Sequence, residues 1–177
     1  VSACATCDGF FYRKKTVAVV GGGDTACEEA TYLAGICKKV YMIVRRDVLR
    51  ASEAMQERVR NTENIEILWN CNTQEVLGDE YGVTGARLVR KDGEVFDIAI
   101  DGFFLAIGHH PNSDLFKEWI EVDKEGYIVT DGKTSKTNVP GVFAAGDVQD
   151  PLYRQAITAA ASGCRAALDA EKFLKML

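Results

Sequence analysis

The chain has 177 residues, of which 47% are hydrophobic and 27% are charged, so it can bury a core as one domain or as two small domains. Its formal net charge of -5 argues against a nucleic-acid-binding surface, which would need a basic stripe. It has no apolar run long enough to span a bilayer and no charged-then-apolar leader, so we expect a cytoplasmic protein. It begins at Val1 rather than at methionine, which suggests a fragment or a processed product.

The N-terminal part of the sequence predicts an α/β framework. Thr16–Val20 is a continuous apolar run that ends in glycines and precedes a helical pattern, as in a buried parallel strand that feeds a helix. Lys39–Val44 is the next such run, and residues 52–60 form a second helical pattern with its apolar residues on one face. Together these segments predict a βαβ unit and its continuation.

Short strand patterns separated by glycines follow the second helix. They cover Ile65–Trp69 and residues 73–77, 83–90 and 94–100, and they predict a small antiparallel meander inserted into the α/β framework. Residues 102–107 then resume the buried-strand pattern.

The pattern changes at residues 109–112, where His-His-Pro-Asn predicts a domain boundary or hinge. Beyond it we expect a buried strand over residues 141–145 and an amphipathic helix from about residue 155 to the end. The apolar positions of that helix are Ile157, Ala160, Ala161, Cys164 and Leu168. This C-terminal region is too small to build a comfortable core alone.

The turn after the first strand fits the pattern G-x-G-x-x-G/A. It runs Gly21, Gly22, Gly23, Asp24, Thr25, Ala26. Glycine allows a tight turn and a close approach to a pyrophosphate, and the following helix N-terminus offers backbone N–H groups to it. The pattern alone is common and also fits a plain strand-to-helix turn, but the strand before it and the helix after it favour dinucleotide binding.

Arginines follow the second strand, where NAD-binding sites usually carry an acidic residue. They are Arg45, Arg46 and Arg50. Guanidinium groups at this position can bind a 2′-phosphate in a bidentate manner, so the pattern predicts NADPH rather than NADH. The alternative is a solvated basic turn before a helix.

Cys4 and Cys7 form a C-x-x-C motif beside Asp8. A zinc site would need further ligands, but the sequence has no second C-x-x-C and only the adjacent His109 and His110. A structural disulfide across so small a loop stabilises little, so the favoured interpretation is a redox dithiol with Asp8 as its proton shuttle. A nicotinamide rarely reduces a disulfide directly, so a flavin is also expected.

The remaining cysteines have no assigned chemistry. Cys27 and Cys164 lie on apolar helix faces and are expected to be small core residues, whereas Cys37 and Cys71 have no evident partners. The two adjacent histidines are expected to be structural or to face solvent.

Several segments together resemble the low-molecular-weight thioredoxin reductases. They are CATCDGFFYR, GGGDTACEEA, VRRDVLRA, AIGHHPN and GVFAAGDVQDPLYRQA. The glycine motif alone is weak, but the combination in this order is highly specific, and it extends over almost the whole chain.

The resemblance implies an α/β fold with a Rossmann-like NADPH-binding domain at 1–108, a hinge at 109–112 and the C-terminal part of a split FAD-binding domain at 113–177. It implies a homodimer that passes electrons from NADPH through FAD to the Cys4/Cys7 disulfide and on to thioredoxin. The implied catalytic residues are Cys4, Cys7 and Asp8. The residues implied for NADPH are Gly21, Gly23, Asp24, Thr25, Ala26, Arg45, Arg46 and Arg50. Those implied for FAD are Gly146, Asp147, Arg154, Gln155 and Ala156, while no metal is expected.

Two alternatives remain at this stage. One is a related flavoprotein that reduces peroxiredoxins, but that type prefers NADH and lacks the double arginine. The other is a nucleotide-binding or redox-sensing module without turnover, because the N-terminal half of the FAD domain, with its own glycine motif, is not in this sequence. Because that half is missing, we expect the 177-residue chain itself to bind no flavin, also if it is part of a thioredoxin reductase.

Overall fold

The computed structural model describes all 177 residues and divides the chain into two compact units, Val1–Gly108 and His109–Leu177. No helix in it combines the length and the apolar character that crossing a membrane requires.

The first unit is built on a four-stranded parallel sheet of strand order β3-β2-β1-β7. Its strands are β1 (Thr16–Val20), β2 (Lys39–Val44), β3 (Ile65–Trp69) and β7 (Gly102–Leu105). Two helices lie between them in the chain, α2 (Asp24–Ala34) and α3 (Glu53–Arg60), while the short helix α1 (Ala5–Asp8) precedes β1. The strands are continuous apolar runs because both faces of the sheet are covered: Val17 and Val19 belong to one core and Ala18 to another.

A three-stranded antiparallel sheet covers the second face of the parallel sheet. Its strands are β4 (Cys71–Asp79), β5 (Gly82–Arg90) and β6 (Val95–Ala99). Ala86 and Leu88 of β5 are buried in the same core as Phe103 of β7. The predicted mixed α/β fold class is therefore confirmed.

The assignment of Ile65–Trp69 to the antiparallel meander is wrong. This strand pairs in parallel with β2, with Val40 opposite Ile65. A short apolar run does not itself reveal the direction of its partner, but this one follows a strand and a helix, and such a β-α-β connection returns the chain to the same parallel sheet.

The unit His109–Leu177 contains one long helix, α4 (Ala156–Leu174), and little other regular structure. The strand expected at residues 141–145 does not form: Phe143 makes only an isolated antiparallel bridge with Lys136. Gly141 has a φ of +80°, which bends the backbone at the start of the run, and the antiparallel pairing of the run is limited to residues 135–137.

The helix predicted at the C-terminus is confirmed, but its apolar positions are not buried. Ile157 is 77% exposed and Leu168 is 52% exposed, and Cys164 is exposed, so the prediction of Cys164 as a core residue is wrong for this structure. The face of α4 that is covered instead carries Ser162, whose hydroxyl accepts a hydrogen bond from the Gly146 amide at 2.9 Å. Helical periodicity identifies an apolar face but not what covers it.

Candidate functional site

The C-x-x-C motif forms a helical turn that brings its two sulfur atoms together. Cys4 is the N-cap of α1 and Cys7 lies in the helix, so the Cα atoms are 5.3 Å apart and the residues form a disulfide. Cys7 is exposed and Cys4 is half-buried. The Cys7 amide donates a hydrogen bond to the Cys4 sulfur at 3.2 Å, a contact that would stabilise a thiolate at Cys4 after reduction.

The disulfide turn is anchored to the edge strand of the parallel sheet. The Ser2 amide donates to the Phe103 carbonyl at 2.9 Å, and the Leu105 amide donates to the Ser2 carbonyl at 2.8 Å. Asp8 follows Cys7 directly and is half-buried, and its amide donates to the Cys4 carbonyl at 3.2 Å. The dithiol motif and Asp8, the predicted proton shuttle, therefore belong to one turn, and hydrogen bonds to the sheet hold that turn in place.

The glycine loop joins the end of β1 to the start of α2, as the motif predicts. Gly21 has a φ of +147°, and a Cβ atom there would overlap the Ala106 carbonyl, so only glycine fits. Gly23 is the N-cap of α2, and a Cβ atom there would meet open space. The N–H groups of the first turn of α2 have no acceptor within the helix, so this open space is suited to an anion.

The predicted arginines lie beside this loop and line one cleft with it. The cleft has a volume of about 670 Å³ and is lined by Gly21, Gly22, Arg45, Arg46 and Arg50, among others. Every charged side chain that lines it is an arginine. It opens at the carboxyl ends of the parallel strands, the position at which open α/β sheets bind ligands.

Three predicted nucleotide residues have different roles in the geometry. Ala26 is completely buried, and its Cβ would lie 2.8 Å from a Cβ at Gly21, so it contributes close helix-to-strand packing. Thr25 is exposed in the first turn of α2. The Asp24 carboxylate accepts hydrogen bonds from the backbone amide and the hydroxyl of Ser52, which lower the pKa of Asp24 in that order of effect.

The residues predicted to bind flavin all belong to the unit His109–Leu177. Gly146 has a φ of +74° and begins a short 3-10 helix, in which Asp147 is exposed. The Arg154 guanidinium donates to the Tyr127 hydroxyl at 3.0 Å and to the Pro151 carbonyl at 2.7 Å. Two further predicted residues start α4: Gln155 is its N-cap and Ala156 is its first residue. The structure therefore clusters these residues before and at the start of one helix.

The motif analysis missed Glu29, a partly buried acid beneath the disulfide turn. One of its carboxylate oxygens accepts a hydrogen bond from the Ala5 amide at 3.4 Å, and the other is buried without a hydrogen-bond partner. Burial raises the pKa of Glu29, and the Ala5 hydrogen bond offsets only part of this effect. Glu29 lies three residues after Ala26 and four before Leu33, both buried, so a carboxylate on the buried face of a helix was the available signal.

We expect Glu29→Gln to change how stability depends on pH. Burial raises the pKa of Glu29 above its ordinary value of 4.5, because the folded protein favours the neutral carboxyl group. The contribution of this group to stability is therefore fully present below that pH and is lost as the pH rises through the folded-state pKa and the buried group becomes charged. The glutamine variant should therefore gain stability relative to the wild type as the pH rises above about 4.5, as measured by urea unfolding. Glu28→Gln, at the exposed neighbouring position, is the matched control, and an identical pH profile for wild type and Glu29→Gln would contradict the prediction.

The three buried thiols, Cys27, Cys37 and Cys71, do not form a second reactive site. Burial raises the pKa of Cys27 and of Cys37 to about 11, so both stay protonated near neutral pH, and the prediction of Cys27 as a core residue is confirmed. Cys37 and Cys71 are buried and donate to the Tyr12 and Trp69 carbonyls, respectively. The structure contains no group of three His, Cys, Asp or Glu side chains that could hold a metal ion.

Comparisons with known proteins agree with these motifs. The family model for pyridine nucleotide-disulphide oxidoreductases matches residues 1–163. A thioredoxin reductase from Coxiella burnetii is 54% identical over 100% of this chain and 58% of its own length. A protein from Pseudomonas fluorescens named glucosaminate ammonia-lyase is also 54% identical, over 98% of this chain and 56% of its own.

A solved structure also matches along almost the whole chain. The crystal structure of thioredoxin reductase from Streptococcus pyogenes matches with a TM-score of 0.90 and 37% identity, over 99% of this chain and 57% of that one. The chain thus spans somewhat more than half the length of the proteins that it matches, and its predicted resemblance to thioredoxin reductases is confirmed. It belongs to the pyridine nucleotide-disulphide oxidoreductase family.

Proposed function

We propose that this chain supplies the NADPH site and the redox-active disulfide of a flavoprotein thioredoxin reductase. Electrons pass from NADPH through FAD to the Cys4–Cys7 disulfide and then to thioredoxin. The observation that carries the proposal is the position of the disulfide turn, which hydrogen-bonds to the sheet edge at β7. Val1, three residues before Cys4, lines the cleft that also contains the glycine loop and the arginines.

The nucleotide part of the proposal rests on the chemistry of the cleft. Gly21 allows the tight turn, and Gly23 leaves open space for a pyrophosphate at the start of α2. Arg45, Arg46 and Arg50 provide guanidinium groups for a 2′-phosphate. An NADH site would be expected to place a carboxylate near the ribose, and no acidic side chain lines the cleft. These features support NADPH as the nucleotide.

The flavin part of the proposal concerns the unit His109–Leu177. Gly146, Asp147, Arg154 and the start of α4 would hold the FAD, since an exposed carboxylate can accept hydrogen bonds from flavin hydroxyl groups and a guanidinium can donate to acceptors on the ring edge. When bound, FAD supplies the step between hydride transfer and disulfide reduction. The homodimer and thioredoxin as partner are supported by the resemblance to the reductases.

The chain's own residues perform the thiol chemistry in this proposal. Reduction of the Cys4–Cys7 disulfide adds two electrons and two protons, and Asp8, the next residue, holds or releases a proton for the thiols. One thiolate then attacks the thioredoxin disulfide and forms a mixed disulfide. The second thiolate attacks that bond, re-forms Cys4–Cys7 and releases reduced thioredoxin.

The purified 177-residue chain tests both parts of this proposal. We expect it to bind NADP+, to be colourless after gel filtration and to show no NADPH-dependent disulfide reductase turnover, because its one glycine loop of this type is assigned to NADPH. After reduction with dithiothreitol and desalting, it should reduce about one thioredoxin disulfide per chain, which thiol titration measures.

Different outcomes contradict different parts. A stoichiometric visible flavin band would show that the chain builds a flavin site by itself. If the reduced chain failed to transfer electrons to thioredoxin, the dithiol assignment would be wrong, and the module without turnover would be favoured. Transfer to a peroxiredoxin-reducing partner in place of thioredoxin would favour the related flavoprotein.

A further inference from the structure

The loop between β2 and α3, residues 45–52, carries the three arginines of the cleft and is here called the arginine loop. Its first four residues are exposed, so packing does not hold the Arg45 and Arg46 side chains in place. Leu49 and Ala51 are buried and anchor only the second half of the loop. A loop that must present guanidinium groups to a phosphate therefore needs other restraints.

Hydrogen bonds tie the end of the arginine loop to the glycine loop and to α2. The Arg50 amide donates to the Gly22 carbonyl at 2.6 Å. The Ser52 amide and hydroxyl both donate to one carboxylate oxygen of Asp24, at 2.9 and 2.8 Å. Asp24 is the first residue of α2, and Ser52 is the N-cap of α3, so this contact joins the starts of two helices beside the cleft.

The charge of Asp24 is unfavourable for simple nucleotide binding. It places a carboxylate at the start of α2, beside the space proposed for the pyrophosphate, where a negative charge would repel the ligand. The two hydrogen bonds from Ser52 stabilise that charge and hold the carboxylate on the side of the arginine loop. A structural role for the carboxylate accounts for its presence better than direct contact with the nucleotide does.

We propose that Asp24 and Ser52 are positioning residues that set the preference for a 2′-phosphate by holding the arginine loop against the glycine loop. This inference rests on the proposed function, namely NADPH binding in the cleft. It predicts that the contact matters for NADP+ and hardly at all for NAD+, which has no phosphate for the arginines to bind.

The test is calorimetric titration of the 177-residue chain with NADP+ and with NAD+. Asp24→Ala should weaken NADP+ binding about tenfold and change NAD+ binding by less than about twofold. Ser52→Ala keeps the backbone donor, so it should weaken NADP+ binding only about two- to threefold. The double variant should be no weaker than Asp24→Ala, because both changes remove the same contact.

Asp47→Ala is the matched control, because Asp47 is an exposed acid in the same loop, whereas the Ser52 amide and hydroxyl both donate to Asp24. Removing either carboxylate reduces repulsion of the nucleotide phosphates, so a purely Coulombic effect would tighten NADP+ binding in both variants. Tighter or unchanged NADP+ binding by Asp24→Ala, with a wild type that prefers NADP+, would overturn the positioning role.

A wild type without preference for NADP+ would instead overturn the proposed function. In that case, hydrogen exchange of the Ser52 amide, followed by NMR in the absence of nucleotide, tests whether Asp24 holds Ser52. We expect faster exchange at Ser52 in Asp24→Ala than in the wild type, with the exchange of the β1 amides unchanged. Unchanged exchange at Ser52 would overturn the contact whatever the nucleotide data show.

Discussion

Replacing Cys4 or Cys7 with serine will abolish stoichiometric reduction of thioredoxin by the dithiothreitol-reduced chain. Transfer of an electron pair requires both thiols, one to attack and one to resolve the mixed disulfide. We therefore expect about one reduced thioredoxin per wild-type chain and none per serine variant. The variant that retains the attacking thiol should form a mixed disulfide with thioredoxin, detectable by non-reducing electrophoresis, and this would identify the attacking cysteine.

The comparison needs a background in which no other thiol reacts. Cys164 is exposed, so wild type and variants should all carry Cys164→Ala. Cys27 and Cys37 can stay in place, since burial raises the pKa of each to about 11 and suppresses their thiolates. Full thioredoxin reduction by both serine variants in this background would disprove the dithiol relay.

Periodicity predicted the parallel framework well because the signals there are local. Thr16–Val20 and Lys39–Val44 are strands with the predicted bounds, and each is a continuous apolar run covered on both faces. Ile65–Trp69 was predicted as a strand but was assigned to the wrong sheet, because strand direction depends on the path of the chain through α3.

The C-terminal unit was predicted less well because its apolar segments have few partners within the chain. Residues 141–145 have the composition of a buried strand but make a single bridge, and α4 exposes the stripe that contains Ile157 and Leu168. Composition reports what a segment would bury, whereas its structure also depends on which partner segments are available.

Motif spacing predicted the site residues that lie close in sequence, and the structure shows contacts between them that spacing does not reveal. Cys4 and Cys7 meet within one helical turn, a proximity that follows from their separation. The contact between Asp24 and Ser52 joins residues 28 positions apart, and the contact of Glu29 with Ala5 joins residues 24 apart. Such contacts depend on the packing of α2 against its neighbours, which no local pattern encodes.

Replacing both Arg45 and Arg46 with alanine should weaken NADP+ binding by roughly 2 to 4 kcal/mol, because two charge-assisted contacts to the 2′-phosphate are lost. NAD+ binding should hardly change. Both side chains are exposed, and the backbone carbonyl of Arg46, which accepts from the Asn70 amide, remains in the variant, so the fold should be preserved. Titration of the chain with each nucleotide measures the two affinities, and thermal unfolding checks the fold.

A matched control separates contact with the phosphate from the general loss of positive charge. Arg58 and Arg60 of α3 are exposed and do not line the cleft, and their replacement by alanine changes the net charge by the same amount. The ion pair of Arg60 with Glu53 is exposed on both sides, so its loss should cost little stability. Long-range attraction alone would weaken NADP+ binding similarly in both double variants and would fade at high salt. The 2′-phosphate assignment requires a large loss that is confined to Arg45→Ala/Arg46→Ala and to NADP+, and equal losses for the two nucleotides would refute it.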